Sequence, residues 1–162
     1  KAPSPADCEK SEQSGIEMVD EILTEPAEAL SVHCPPKRIL VVDDDADQVA
    51  VLADRLKKLG YDATFANTGG QAIESATTIV PDLVLLDLCL PDVNGFNVCE
   101  QLGEMSTTCG IPVIIVSGME TDDVVRRART AGCAYYLRKP YDPNVLLTLI
   151  QNTLESTQDL GW

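Results

Sequence analysis

The chain has 162 residues, 44% of them hydrophobic, and a formal net charge of −14 at pH 7. These values indicate a globular domain with a core of its own, while the negative charge argues against direct nucleic-acid binding, which needs a basic surface. No apolar run approaches the ~20 residues of a membrane span, and the N-terminal sequence lacks the apolar stretch of a secretory signal.

Residues 1–36 differ in composition from the rest of the chain. They are acidic and rich in Pro, Ser and Glu, which is typical of a flexible leader or linker. Four apolar residues within them fall at helical spacing: Ile16, Val19, Ile22 and Leu23. This spacing indicates either a short amphipathic helix that docks on a neighbouring surface or a transient helix in a tail.

From residue 37 onward, short apolar runs alternate with longer amphipathic segments. The apolar runs predict five strands, at residues 38–43, 62–66, 82–87, 111–118 and 134–140. The amphipathic segments predict five helices, at residues 46–60, 69–80, 96–105, 121–132 and 142–157. In the first helix, the predicted buried face consists of Val49, Leu52, Leu56 and Leu59.

This alternation of strands and helices predicts an α/β fold. Strands that are apolar on both faces belong to a parallel sheet covered by helices on both sides. Right-handed crossovers then bring the carboxyl end of every strand to the same edge of the sheet, and ligands of such folds bind outside that edge.

Polar side chains lie at the carboxyl ends of four of the predicted strands. In chain order they are Asp43 and Asp44, then Asp87, then Ser117, then Lys139. Two carboxylates ~4 Å apart repel each other by roughly 4 kcal/mol at an effective dielectric of 20, so this cluster is favourable only when a cation lies among the acids. A partly hydrated site made of oxygen ligands suits Mg²⁺. The sequence therefore predicts a magnesium site at this edge.

The order of these segments resembles the response-regulator receiver family of two-component signalling. The resemblance rests on VVDDD, LLDLCLPDVNG, PVIIVSG and YYLRKPY, which occur in this order with helices between them. It implies a flavodoxin-like, doubly wound (βα)5 fold with a five-stranded parallel sheet in the order 2-1-3-4-5. It covers residues 37–157 and leaves residues 158–162 as a tail; a stand-alone regulator and a fragment of a hybrid kinase or larger regulator both stay open.

The resemblance also implies roles for the clustered residues. Asp87 would accept a phosphoryl group from the phosphohistidine of a sensor histidine kinase or a phosphotransfer protein. Asp44 would bind Mg²⁺ directly and Asp43 partly through water, with Asp87 and the backbone carbonyl of Cys89 completing the protein's ligands. The protein would then be a signalling phosphoacceptor and not an enzyme, apart from its own phosphorylation and dephosphorylation.

Three further residues match positions of the phosphoryl response in this family. Ser117 would bind a phosphoryl oxygen, Lys139 would pair with the phosphoryl charge, and Tyr136 would turn inward as the switch residue. The Lys139–Pro140 peptide is expected to be cis. The resulting change would reach the surface formed by helix 4, strand 5 and helix 5, where a homodimer or an output partner would dock.

Two positions differ from those of family members that lose phosphate rapidly. The second residue after Asp87 is Cys89, and the second residue after Ser117 is Met119. Neither side chain carries an amide or carboxylate that would hold an attacking water, so we predict slow self-dephosphorylation.

Other polar residues in these loops have simpler interpretations. Asp45 and Asp47 are predicted to cap the first helix, and Asp92 and Asn94 to form a turn. Three arginines on the fourth helix form either a solvated face or part of the partner surface: Arg126, Arg127 and Arg129.

Two rival functions stay open from the sequence. Asp43 and Asp45 form the D-x-D of haloacid-dehalogenase-like phosphatases, although Asp47 stands where those enzymes usually have Thr or Val. A receiver-like scaffold that binds partners without phosphorylation is the other rival.

Histidine and cysteine usage excludes other chemistry. The only histidine, His33, lies beside Cys34 without a second pair of ligands, which argues against a zinc site and against a Ser–His–Asp catalytic group. The six cysteines lack regular spacing, so we predict reduced, mostly buried thiols in a cytoplasmic protein.

Overall fold

The structure is a computed structural model that describes residues 34–159. The predicted leader helix, Cys8 and His33 lie outside the described residues. Within residues 34–159, none of the helices combines the length and the apolar character that a bilayer crossing requires.

Five strands and five helices alternate along the described chain, as predicted. The strands are β1 (Arg38–Val42), β2 (Asp62–Ala66), β3 (Leu83–Leu86), β4 (Val113–Ser117) and β5 (Tyr135–Arg138). The helices are α1 (Ala46–Lys58), α2 (Gly69–Ile79), α3 (Gly95–Glu104), α4 (Val124–Thr130) and α5 (Pro143–Asp159). Most elements are shorter than predicted, whereas α5 ends at Asp159 and not at residue 157.

The strands form one parallel sheet in the order β2-β1-β3-β4-β5. This is the predicted flavodoxin-like order. It makes β1 and β3 direct neighbours, with Val42 paired to Leu86, so the residues that follow these two strands emerge side by side. The strand order changes direction at β1 and β3, which is where α/β sheets bind ligands.

The core consists of two apolar layers, one on each face of the sheet. Successive strand residues point to opposite faces, and both faces of the sheet are covered. The central strands β1, β3 and β4 are therefore apolar except at Arg38 and Ser117, which lie at strand ends. One layer packs the sheet against α2, α3 and α4 and includes Leu40, Val42, Leu86, Ile115, Phe96 and Leu102. The other packs it against α1 and α5 and includes Ile39, Val41, Leu85, Ile114, Leu56 and Ile150.

The prediction that Leu59 belongs to the buried face of α1 is wrong. Leu59 is 56% exposed, because α1 ends at Lys58 and the backbone of Leu59 no longer follows the helix. Gly60 then adopts a φ of 87°, a conformation that glycine reaches without a steric penalty. Ala53 takes the buried place instead, together with Val49 and Leu56.

The cysteines only partly match their prediction. The five cysteines among the described residues are free, as expected. The prediction that they are mostly buried is wrong, because Cys34, Cys89 and Cys109 are exposed on loops. Cys99 is buried, and burial raises the pKa of its thiol to about 12, with smaller contributions from Cys133 and Glu100.

Candidate functional site

Three carboxylates meet at the carboxyl edge of the sheet. One backbone hydrogen bond joins the ends of β1 and β3, since Asp87 N donates to Val42 O at 2.9 Å; a second joins β1 to the end of β2, since Asp43 N donates to Ala66 O at 3.2 Å. Carboxylate oxygens of Asp43, Asp44 and Asp87 all lie within 4.8 Å of one another. Residues that are 43 positions apart in the sequence therefore form one acidic cluster, as their positions after β1 and β3 predict.

The cluster differs in exposure from one side to the other. The side chain of Asp87 is 8% exposed and that of Asp43 is 13% exposed, whereas Asp44 is open to solvent. The ligand atoms are all carboxylate oxygens, which suits a hard divalent cation such as Mg²⁺ and does not suit a soft metal. The donor set thus fits the predicted ion.

Lys139 bridges two of the acids. Its Nζ lies 2.7 Å from Asp43 Oδ2 and 2.9 Å from Asp87 Oδ2. The backbone N–H of Lys139 donates to Ser117 O at 2.9 Å, which fixes the lysine at the end of β5. The Lys139–Pro140 peptide is cis, as predicted.

The charge state of Lys139 follows from these contacts. Burial lowers the pKa of the ammonium group, but the hydrogen bonds to Asp43 and Asp87 and their negative charges outweigh it, so the pKa lies above its ordinary value of 10.5. The lysine is therefore charged at neutral pH and offsets part of the repulsion between the acids.

Asp87 has both of its carboxylate oxygens engaged. Oδ2 accepts from Lys139, and Oδ1 accepts from the backbone N–H of Cys89 at 3.0 Å. The backbone of Asp87 is equally confined, because a Cβ built on Gly95 would lie 2.4 Å from Asp87 O. Only glycine allows this approach of α3 to the end of β3.

Ser117 and Tyr136 meet at one backbone segment. Ser117 is fully buried, and its Oγ accepts from Met119 N at 3.3 Å. The Tyr136 hydroxyl donates to Met119 O at 3.1 Å. Burial raises the pKa of Tyr136 above 10.0, and the negative charge of Asp87 raises it further, so the phenol keeps its proton at neutral pH.

Two of the loop residues with simpler predicted roles are helix N-caps. Asp45 is the N-cap of α1, as predicted, and accepts from Asp47 N and Gln48 N. Asn94 is the N-cap of α3 and accepts from Phe96 N at 2.9 Å.

Asp92 caps the start of a different helix, α2, and this role was not predicted from the sequence. Its carboxylate accepts hydrogen bonds from Gly69 and Gly70 at the start of α2. The absence of an acidic residue from the first turn of α2 is a sequence signal that this helix start needs a negative charge from elsewhere. It does not identify Asp92, which lies 23 positions from Gly69.

The arginines of α4 are exposed. The Arg127 guanidinium lies over the Phe96 ring, 4.3 Å from its centroid, a favourable cation–π distance. Arg138 of β5 pairs with Glu120. The surface of α4 and β5 thus presents a group of basic side chains.

Comparisons with known proteins agree with this geometry. The family model described as response regulator receiver domain matches residues 39–151. The DNA-binding response regulator MtrA of Mycobacterium tuberculosis is 37% identical over 124 residues, which are 76% of this chain and 53% of MtrA. Protein PilH of Pseudomonas aeruginosa is 39% identical over 119 residues, 72% of this chain and 97% of PilH.

A solved structure gives the same result for the fold. The CheY-like response regulator receiver domain protein of Methanospirillum hungatei JF-1 aligns with a TM-score of 0.74 and 29% identity, covering 78% of this chain and 99% of that one. The chain spans about half the length of MtrA. Because MtrA is named as DNA-binding, the comparisons do not support our prediction that nucleic acid is absent among the partners.

Proposed function

Because the chain belongs to the response regulator receiver domain family, we propose that Asp87 accepts a phosphoryl group from the phosphohistidine of a sensor histidine kinase or of a phosphotransfer protein. The observation that supports this most directly is the meeting of Asp43, Asp44 and Asp87 with the Lys139 ammonium group. We take residues 37–157 as the receiver domain and residues 1–36 as a leader.

The proposed reaction uses Asp87 as the nucleophile. A carboxylate oxygen of Asp87 forms a bond to phosphorus while the bond from phosphorus to the donor imidazole nitrogen breaks, and the imidazole leaves with the electron pair. The product is an acyl phosphate on Asp87. Since such transfers depend on positioning and charge neutralisation, the two hydrogen bonds that orient the Asp87 carboxylate are the first contribution of the protein.

Lys139 and Ser117 then stabilise the transferred phosphoryl group. The Lys139 ammonium lies at the Asp87 oxygen and compensates for the phosphoryl charge. The Ser117 oxygen accepts from Met119 N, so its hydroxyl hydrogen is free to donate to a phosphoryl oxygen.

Mg²⁺ is the cofactor that fits the acidic cluster. Asp43, Asp44 and Asp87 would hold it together with the backbone carbonyl of Cys89. When bound, the cation neutralises negative charge on the phosphoryl oxygens. The exposure of Asp44 leaves that side of the cluster open to the waters that Mg²⁺ keeps.

The proposed output is a change in the surface of α4, β5 and α5. Ser117 and Tyr136 both bond to Met119, so movement of the serine hydroxyl toward a phosphoryl group alters the segment that the tyrosine holds. Such a local charge change can bias a two-state element. A second copy of the chain, forming a homodimer, or an output partner would bind to this changed surface.

A groove beside the site is suited to the helix of a phosphodonor. It lies between α1 and α5, has a volume of about 310 Å³, and is lined by Val51, Leu52 and Leu147 among others. Val51 is 60% exposed. Gln48 and Tyr141 line both this groove and the small cavity at Asp87, so a donor helix in the groove would place its histidine near the acceptor.

Labelling with a small phosphodonor tests the proposal. Incubation with acetyl phosphate and Mg²⁺ should add one base-labile phosphoryl group per chain, and Asp87→Asn should abolish it. The control Asp62→Asn changes an exposed carboxylate at the start of β2 and should label like the parent. Labelling of Asp87→Asn at the parent's rate would refute the proposal.

The phosphatase alternative is weakened by the position of Asp45. The second acid of the D-x-D sequence bonds to the backbone of α1 and to the Gln48 side chain and is therefore used as a helix cap. Turnover of a small phosphate ester that persists in Asp87→Asn would favour the phosphatase.

A further inference from the structure

The loop from residue 87 to residue 94 carries Asp87 and Cys89, and Asp92 attaches it to the start of α2. Asp92 Oδ1 accepts from Gly69 N at 2.8 Å, and Oδ2 accepts from Gly70 N at 3.0 Å. Each carboxylate oxygen thus takes one of two consecutive amides. A two-point attachment of this kind fixes both the position and the rotation of the loop.

The start of α2 is suited to this attachment. The first amides of a helix have no partner within the helix, and a negative charge there is favourable. The N-cap Thr68 accepts from Gln71 N, and α2 has no acidic residue in its own first turn. The loop therefore supplies the charge that the helix lacks.

Tight packing accompanies the hydrogen bonds. A Cβ built on Gly69 would lie 2.2 Å from Val93 Cγ2 and 2.9 Å from Val98 Cγ2. The loop therefore rests directly on the helix start, at a distance that only glycine permits.

The other end of the loop is fixed at the phosphoacceptor. Gly95 N donates to Leu88 O at 3.0 Å, and Cys89 N donates to Asp87 Oδ1. Between these bonds and the α2 attachment, the backbone of Cys89 has little freedom to move. The proposed metal-binding carbonyl belongs to this confined segment.

We propose that Asp92 is a positioning residue of the phosphoacceptor site, which holds the loop so that the Cys89 carbonyl and the Asp87 carboxylate keep the spacing that Mg²⁺ binding needs. This inference rests on the proposed function of Asp87. The hydrogen bonds from Gly69 and then Gly70 lower the pKa of Asp92, so the carboxylate stays charged and the attachment stays closed at neutral pH.

A matched control separates positioning from plain helix capping. Asp82 Oδ2 accepts from Arg38 N at 2.7 Å, at the opposite edge of the sheet. Asp82→Ala therefore removes a carboxylate–backbone bond of the same kind without touching the loop. A residue that only stabilises the fold would behave like Asp82.

The experiment compares the full chain with Asp92→Ala, Asp92→Asn and Asp82→Ala. Calorimetric titration with Mg²⁺ should show affinity reduced about ten-fold in Asp92→Ala, as is typical when a partner that orients a metal ligand is lost. Asp92→Asn keeps one acceptor oxygen and should fall between. Asp82→Ala should lose stability but keep the parent's affinity.

Hydrogen exchange gives a readout that needs no metal. In the metal-free protein, amides of residues 88–94 should exchange faster in Asp92→Ala than in the parent or in Asp82→Ala. Phosphorylation by acetyl phosphate at low Mg²⁺ should slow in the same order as the affinities.

Two results would overturn the inference, and they are distinguishable. If Asp92→Ala and Asp92→Asn lose stability but keep the parent's Mg²⁺ affinity and phosphorylation rate, Asp92 is a helix cap and nothing more. If the parent itself neither binds Mg²⁺ nor accepts a phosphoryl group on Asp87, the proposed function fails and this inference fails with it.

Discussion

Replacing Asp44 with Asn should stabilise the metal-free protein. The Asp44 carboxylate lies within 4.8 Å of carboxylate oxygens of Asp43 and Asp87, while Lys139 supplies one positive charge to these two acids. Asp44 therefore faces about one uncompensated negative charge. At 4.8 Å the repulsion is about 0.9 kcal/mol in water and about 3.5 kcal/mol at an effective dielectric of 20.

The lower end of this range applies because Asp44 is exposed and solvent screens its interactions. We expect the free energy of unfolding of Asp44→Asn to exceed that of the parent by about 1 kcal/mol without divalent ions. For a domain of this size, that corresponds to a rise in melting temperature of roughly 3–5 °C.

Mg²⁺ should reverse the order of stabilities. Binding to the folded state at ten times the dissociation constant stabilises a protein by about 1.4 kcal/mol. The parent should gain this increment, whereas the variant has lost the proposed direct ligand and should gain little. Urea unfolding with and without Mg²⁺ at low ionic strength measures both differences, with Asp62→Asn as an exposed control carboxylate.

Two outcomes would refute this reasoning. A variant that is less stable than the parent without Mg²⁺ would mean that Asp44 makes a favourable contact that outweighs the repulsion. A variant that gains as much stability from Mg²⁺ as the parent would mean that Asp44 is not a ligand.

Three further predictions concern the phosphoryl lifetime, pH and partner docking. The double variant Cys89→Asn with Met119→Glu should lose its phosphoryl group roughly ten-fold faster than the parent, which corresponds to about 1.4 kcal/mol in the hydrolysis barrier. Decay of the phosphorylated protein after removal of the donor measures this, and equal lifetimes would contradict the prediction. The pKa of Lys139 is raised in the folded state, so its contribution to stability should be complete below pH 10.5 and disappear as pH rises through the folded-state pKa. The free energies of unfolding of the parent and of Lys139→Met, measured in urea, should therefore converge at high pH. A difference that stays constant with pH would count against the two ion pairs. Val51→Glu should slow phosphotransfer from a histidine kinase but not from acetyl phosphate, because Val51 lines the groove. The control Val125→Glu changes a valine of α4 that is 47% exposed and should leave both rates unchanged; slowing with both donors would place the defect in the site itself.

The fold followed from local patterns in the sequence. Strands that are apolar at successive positions, as in residues 83–86, are stable only when both faces are covered, and all four of these residues are buried. The acidic residues after β1 and β3 were equally readable, because parallel strands end at the same edge. The sequence thus determined the class of fold, the edge that carries the site and the residue types found there.

Local patterns were less informative where an element ends. Leu59 has the spacing of a core residue, yet α1 stops one residue earlier and leaves it exposed. Periodicity continues in a sequence past the point where the backbone changes direction, so it does not report the last turn of a helix.

The partners of individual atoms were decided by the tertiary structure. That Lys139 bridges Asp43 and Asp87 depends on how β1, β3 and β5 are spaced across the sheet. That Asp92 bonds to α2 depends on how closely its loop can rest on Gly69. Charge, hydropathy and turn preference are properties of neighbouring residues along the chain, whereas a hydrogen bond requires a separation of about 3 Å, and only the packing of the whole core sets distances between remote segments to that accuracy.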